Sequence, residues 1–310
     1  ISINSIYSYF TTNYVPANAS IYNNIKKLLP GNFIRIENNN FQINNYWSLK
    51  DKSKVELKNN IHYEVEELLE DIVKIQSRTD VKIGSFLSGG IDSSILTYLL
   101  NKNVKNFETY TIDFSGKDQN QDIEFSHKLS SELNLRNKKL KLNLEKDLLN
   151  YLDDIIYFLD EPISDTAIFS TFALSKLAYE NNTKVIITGA GGDEIFGGYH
   201  RHYNNNIFKK IFPNIKVSIL FNFLRFLKKD YYNHFLKLFS KDVNFILGTS
   251  GISLNLISKL LNDQSSFFNN FKNLTEYFTR DFNYENLENK LKIDMSNYLP
   301  DNILSLTDKM

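Results

Sequence analysis

The chain has 310 residues, with Lys plus Arg and Asp plus Glu equal at 36 each, so its formal net charge is zero. That balance argues against a nonspecific nucleic-acid binder drawn by bulk charge, and 42% hydrophobic with 14% aromatic residues excludes wholesale disorder. Cysteine is absent, which removes disulfides, thiolate zinc sites, iron–sulfur clusters and a cysteine nucleophile from this segment.

Residues 1–50 alternate short β-prone runs with turn residues. Pro30-Gly31 signals a turn, and Phe33–Ile36 followed by Phe41–Ile43 reads as a hairpin. Residues 51–60 are charged and polar, a linker. From 61 the pattern becomes helical: Val65, Leu68, Leu69, Ile72 and Ile75 share one face. Lys82–Leu87 is a short apolar run, Ser88-Gly89-Gly90 a turn, and Asp92–Asn101 a helix burying Ile95, Leu96, Leu99 and Leu100. A second strand follows at Phe107–Phe114, a helix near Asp122–Leu133 and a third strand near Asn137–Leu142. Helices at about 145–159 and 166–181 precede a fourth strand, Val185–Thr188. Strands alternating with helices predict a mostly parallel sheet covered on both faces. Beyond 200 the Phe, Leu and Ile spacing is helical, with a turn at 248–251. No apolar run approaches the roughly 20 residues that span a bilayer. The polar start lacks both a signal peptide and Met, and the end falls inside a promising helix, so the chain reads as a fragment.

Eight of the twelve glycines fall in two places, 84, 89 and 90, then 189, 191, 192, 197 and 198, each directly after a predicted strand. Ligands of parallel sheets bind beyond the carboxyl ends of the strands. In Ser88-Gly89-Gly90-Ile91-Asp92-Ser93-Ser94 the glycines allow close approach of backbone to ligand, and the helix start favours phosphate. Asp92 would repel phosphate unless a cation intervenes, which suggests Mg2+. The plain alternative is a strand–helix turn capped by Asp92 or Ser93. The second cluster, Thr188 to Tyr199, adds the adjacent carboxylates Asp193 and Glu194, so Asp193 is expected to share the metal ion with Asp92. Its plain alternative is a helix start capped by Asp193. Between the two lies Asp160-Glu161-Pro162-Ile163-Ser164-Asp165-Thr166. Either Asp165 or Thr166 caps the next helix, or Asp160 and Glu161 face the ligand edge.

Phe86 to Ser94 resembles the PP-loop of the ATP pyrophosphatases. Joined with Asp160-Glu161-Pro162, with Thr188 to Tyr199, and with Tyr298-Leu299-Pro300-Asp301-Asn302-Ile303-Leu304 and Asp308-Lys309-Met310, it resembles the glutamine-hydrolysing asparagine synthetases. Pro30-Gly31 and Tyr46-Trp47 resemble the tail of the preceding glutaminase domain. The resemblance implies an α/β fold, a parallel sheet sandwiched by helices (adenine nucleotide alpha hydrolase-like), with a largely helical C-terminal part and a short N-terminal β tail. Its division would be 1–50 glutaminase tail, 51–60 linker and 61–310 synthetase domain, truncated at the C-terminus. It further implies a cytoplasmic ligase of asparagine biosynthesis that uses ATP and Mg2+. Aspartate is adenylated to β-aspartyl-AMP with release of pyrophosphate, and glutamine-derived ammonia then gives asparagine and AMP. The partners are these small molecules and the glutaminase domain of the same full-length chain, with neither nucleic acid nor membrane; a homodimer is left open. Leu87, Ile112, Thr188 and Gly189 resemble the residues that hold adenosine. Ser88, Gly89, Gly90, Asp92, Ser93 and Ser94 resemble those at the pyrophosphate, with Asp92 and Asp193 as Mg2+ ligands.

Three departures shape the expectation. The catalytic Cys of the glutaminase half is absent. The acidic residue that many asparagine synthetases carry after Thr/Ser-Gly is Ala190, so either Glu194 or another carboxylate takes over, or the acceptor is a sugar, peptide or β-amino acid. Further Lys and Arg contacts to pyrophosphate would lie beyond Met310, so this segment alone is expected to be inactive. Two side features remain. Residues 207–241 are basic and aromatic, best read as helices with a wet lysine face. His200 and His202 either touch substrate or lie on the surface.

Overall fold

The computed structural model describes residues 1–49, 60–114, 121–203, 264–282 and 286–310. The expected linker, apart from residue 60, the basic aromatic stretch 207–241 and the turn at 248–251 lie outside these residues. The chain divides into two compact units: one of residues 1–52, 160–165 and 191–305, the other of residues 53–159, 166–190 and 306–310.

The first unit opens with α1 (Ile3–Thr12), where extended structure was expected. Ser2 caps it by accepting from the Ser5 N–H. Its buried face is Ser5, Tyr7, Ser8, Thr11 and Thr12. A hydroxyl-bearing face can be buried because each group finds a partner close by: Ser8 donates to the Asn4 carbonyl, Thr11 to Tyr7 and Ser5 to Ser20. The hairpin is present as β1 (Asn32–Glu37) and β2 (Asn40–Asn45), with Ile34 opposite Ile43 and Ile36 opposite Phe41.

The second unit holds α2 (Ile61–Gln76), β3 (Ile83–Phe86), α3 (Ile91–Asn103), β4 (Glu108–Phe114), α4 (Gln121–Glu132), β5 (Arg136–Leu142), α5 (Leu144–Phe158), α6 (Ala167–Glu180) and β6 (Val185–Ile187). Its four strands are all parallel, in the order β5-β4-β3-β6. Alternate residues feed two cores, as strand pleating requires. Ile83 and Ile187 join Val73, Leu99, Leu100 and Phe107, whereas Tyr110 and Ile112 join Leu142, Ala173, Leu174 and Ala178. The edge strand β5 exposes Arg136, Lys139 and Lys141, charges that discourage pairing with another chain.

Two expected faces are corrected. On α2 the inward line is Val65, Leu69 and Val73, while Leu68 and Ile75 are 60% and 61% exposed. In this orientation its charged flank faces α3, with Lys102 lying 3.8 and 3.6 Å from Glu66 and Glu70. On α3, Leu99 and Leu100 are buried as expected but Ile95 is exposed, since Ser93 and Thr97 occupy its place on the inner face.

The first unit resumes with α7 (Gly192–Phe196) and α8 (His200–Tyr203), then α9 (Gln264–Thr279) and α10 (Leu287–Ile293). A π-helical stretch, Asp294–Leu304, follows and contains Pro300. Proline has no N–H to give, and side chains take up carbonyls around this wide turn: Ser305 donates to Pro300, and Asn297 to Ile293.

Candidate nucleotide site and the buried cluster of the first unit

The site begins at the strand order. β3 lies between β4, the next strand in the chain, and β6, the last, so the switch point of the sheet falls between β3 and β6. The turns leaving these two strands are Leu87–Gly90 and Thr188–Ala190. Such a crevice is where open α/β sheets take their ligands.

The first turn is shaped by hydroxyls and missing side chains. Ser88 and Ser93 hydroxyls lie 2.9 Å apart, Ser93 also donates to the Gly90 carbonyl, and the Gly90 N–H donates to Ser88. Gly89 has φ +90, and a Cβ there would stand 1.8 Å from the Asp122 carbonyl oxygen. Gly90 is the N-cap of α3. The expected alternative of Asp92 or Ser93 as cap is therefore corrected: Asp92 lies in the first turn of the helix, and the Ser94 N–H closes that turn onto the Gly90 carbonyl at 3.1 Å. Leu87 is fully buried, with its N–H on Tyr110 and its carbonyl taken by the Thr111 hydroxyl. Ile112 is likewise a core residue.

The second turn meets the first. A Cβ on Gly189 would lie 3.0 Å from the Ser93 nitrogen and 3.1 Å from the Asp92 Cβ, so the end of β6 runs flush against the start of α3. Thr188 accepts from the Ala190 N–H at 3.4 Å, and Ala190 is exposed. Thr188, Gly189, Ser88–Ser94 and Ile112 thus belong to one unit. The remainder of the second glycine cluster, from Gly191, belongs to the other.

In that other unit α7 carries Asp193 and Glu194. Gly191, with φ +99, is its N-cap, which corrects the alternative of Asp193 as cap. A Cβ on Gly198 would stand 1.6 Å from Asp193 Oδ1, so the carboxylate rests in a cradle that any other residue would fill. Glu194 is buried and accepts from the Tyr199 hydroxyl at 2.7 Å. Burial pushes the Glu194 carboxyl above its ordinary value, against the lowering effect of that bond. The Tyr199 hydroxyl is also pushed up, by burial first and then by its bond to Glu194.

Around these residues sits a cluster that sequence reading missed. Arg201 and His202 both reach Asp294 Oδ2, at 2.8 and 2.7 Å. Arg201 lies in the corner of two nearly perpendicular rings, 4.0 Å from the Tyr199 centroid and 4.4 Å from that of Tyr298. His202 is thus a buried hydrogen-bond partner of Asp294, not a surface residue, while His200 is exposed. Of the two expected caps of α6, Thr166 stands at the N-cap position, without a side-chain capping bond, while Asp165 accepts from Asn302 at 2.9 Å. Glu161 pairs with Lys27 at 2.5 Å and accepts from the Ile21 N–H, so its carboxylate is engaged within the first unit, not turned to a ligand. Asp160 is exposed.

Residues 64–310 match the family model described as asparagine synthase. The chain belongs to the asparagine synthase family. A candidate glutamine-hydrolysing asparagine synthetase of Methanocaldococcus jannaschii is 32% identical over 209 residues, which is 66% of this chain and 40% of that protein. Asparagine synthetase 1 of Bacillus subtilis, also glutamine-hydrolysing, is 26% identical over 63% of this chain and 31% of its own length. The chain therefore spans well under half of each. Among solved structures, an NH3-dependent NAD synthetase of Campylobacter jejuni aligns with 71% of this chain and 95% of its own, at 16% identity and a TM-score of 0.33.

Mg2+ is the ion expected from the sequence. Among the described residues no three His, Asp or Glu side chains converge as a metal cage. Mg2+ does not require one, because it is commonly bound through one or two carboxylates plus substrate phosphates. Asp92, at a phosphate-type turn of the second unit, and Asp193, in its glycine cradle in the first, are each by itself a carboxylate donor of that kind, so each fits the ion. No helix among the described residues is long and apolar enough to cross a membrane.

Proposed function

We propose that this chain is the synthetase part of a glutamine-dependent asparagine synthetase, a cytoplasmic ligase. In this reading residues 1–50 are the tail of its glutaminase domain, 51–60 the link, and 61–310 the synthetase domain. The side-chain carboxylate of aspartate attacks the α-phosphate of ATP, giving β-aspartyl-AMP and pyrophosphate. Ammonia released from glutamine then attacks the acyl carbon, and AMP departs as asparagine forms. Adenylation is needed because a carboxylate is a poor electrophile.

The observation that carries the reading is the pairing of the two turns at the switch point, with Gly189 flush against Asp92 and Ser93. The N–H groups of the first turn and the start of α3 would hold the pyrophosphate. Thr188 and Gly189 would hold adenosine, with Ile112 contributing through its main chain and Leu87, whose main chain is already bonded to Tyr110 and Thr111, as the buried floor beneath it. Mg2+ bound by Asp92 and Asp193 would neutralise charge on the departing pyrophosphate. Glu194, enclosed and bonded to Tyr199, would steady α7 and leave aspartate to other groups.

The test is carboxylate-dependent exchange of pyrophosphate into ATP in the intact protein. Exchange should require aspartate and Mg2+, and Asp92→Asn should abolish it, a loss of at least about a hundredfold for a transition-state contact, with unchanged circular dichroism. Wild-type exchange in Asp92→Asn would sink the assignment. One feature favours a second reading. Ala190, exposed and without a carboxylate, stands where many asparagine synthetases carry an acid, which suits a relative adenylating a sugar, peptide or β-amino acid carboxylate. Ala190→Glu should raise aspartate-dependent exchange under the first reading and leave it flat under the second.

A further inference from the structure

We propose that Arg201 is a positioning residue for α7, and through it for Asp193; the step to the metal rests on the reading of Asp193 as a Mg2+ ligand. Helix α7 is short, from Gly192 to Phe196, and its end turns back sharply: the N–H groups of Gly197 and Gly198 both donate to the Asp193 carbonyl, at 2.9 and 3.0 Å. A five-residue helix bounded by flexible glycines has little stiffness of its own. Its anchor is the buried Glu194 side chain, held by the Tyr199 hydroxyl at 2.7 Å. What fixes Tyr199 therefore fixes the direction in which the neighbouring Asp193 points.

Tyr199 is fixed by Arg201. The guanidinium fills the corner between the rings of Tyr199 and Tyr298, whose planes meet at 88° with centroids 5.9 Å apart. It is pinned there by Asp294, and the arginine and aspartate side chains are only 11% and 3% exposed. Asp294 is held in turn by His202, whose carbonyl accepts from the buried Lys290. A planar, delocalised cation suits a ring corner and an ion pair at once; a lysine ammonium would keep the charge and lose the shape.

The test uses Arg201→Lys in the intact protein, with Mn2+ binding followed by electron paramagnetic resonance in the presence of ATP, and hydrogen exchange over residues 192–198. The expected result is about tenfold weaker Mn2+ binding and faster exchange in that stretch. Wild-type values for both would overturn the proposal. Should Arg201→Lys fail to fold, Tyr298→Leu serves, because it removes one wall of the corner and keeps the Arg201–Asp294 pair; the same two outcomes apply. Asp193→Asn separates this idea from the reading beneath it. If that variant binds Mn2+ normally, the ligand assignment fails, while exchange over 192–198 still decides the role of Arg201.

Discussion

The turn after β3 and the cluster around Arg201 solve opposite problems. At Ser88–Ser93 the chain makes room: two glycines and short hydroxyls bring backbone N–H groups to an edge where large side chains would intrude. Around Arg201 it fills room, packing buried Asp294, His202 and Glu194 with the half-buried rings of Tyr199 and Tyr298. The first works by absence and tolerates little addition. The second works by presence, and its energy depends on every charge keeping its partner. Substitutions should therefore fail differently in the two places.

The sharpest contrast lies inside the turn. Gly89→Ala meets a backbone oxygen at 1.8 Å and must also hold φ +90, so the strand–helix unit has to shift. A loss of about 2–4 kcal/mol is expected, from overpacking and backbone strain together. At Gly90 the nearest atom to an added Cβ is the Ser88 hydroxyl at 3.3 Å, with φ outside the left-handed region, and Gly90→Ala should cost less than about 1 kcal/mol. Urea unfolding of the two variants measures the gap. Equal costs would mean that the turn is not set by the close approach to Asp122.

The filled unit offers a test by pH. Asp301 accepts from the Ala17 N–H at 2.9 Å, and burial, outweighing that bond and the nearby Lys27 and Arg280, pushes its carboxyl up to about 7. The ordinary value is 3.8, so between roughly pH 4 and 7 the folded chain holds a proton that the unfolded chain has released. Stability should fall as pH rises through that window and level off above it. Asp301→Asn keeps an acceptor for Ala17 and removes the proton, so its unfolding free energy should be flatter by about 1–2 kcal/mol, the full shift being reduced by partial exposure. Parallel slopes for the two proteins from pH 4 to 7 would show that Asp301 titrates normally.

These two regions also differ in how far the sequence reveals them. The parallel sheet is legible from short β-prone runs alternating with helical ones, and both glycine turns because β3 and β6 each run into glycine, a local signal. Arg201 with Asp294 and Asp165 with Asn302 are not, because each pair is separated by 93 and 137 residues and no periodicity links them. Helix α1 escapes notice for another reason. Its inner face is Ser and Thr, which hydrophobic spacing does not count, yet local bonds to carbonyls let that face be buried. Asp165 shows the converse hazard: it is a good capping residue, but its carboxylate is used by Asn302, and the cap position of α6 falls to Thr166.

The smallest effect tests the point where pattern and packing part company on α2. The apolar spacing puts Leu68 and Leu69 on one buried face, whereas Leu69 packs beside Val73 against the core and Leu68 stands mostly in solvent. Truncating a half-buried leucine should remove about 1 kcal/mol of transfer free energy, and truncating an exposed one should stay within about 0.5 kcal/mol. Leu69→Ala should thus lower the urea midpoint while Leu68→Ala leaves it near its original place. The reverse order would mean that α2 follows its apolar periodicity after all, turned so that Glu66 and Glu70 leave Lys102. A drop for both would mean that the outer stripe of Leu68, Ile72 and Ile75 is covered in the intact protein, and the exposed face would then be part of a larger core.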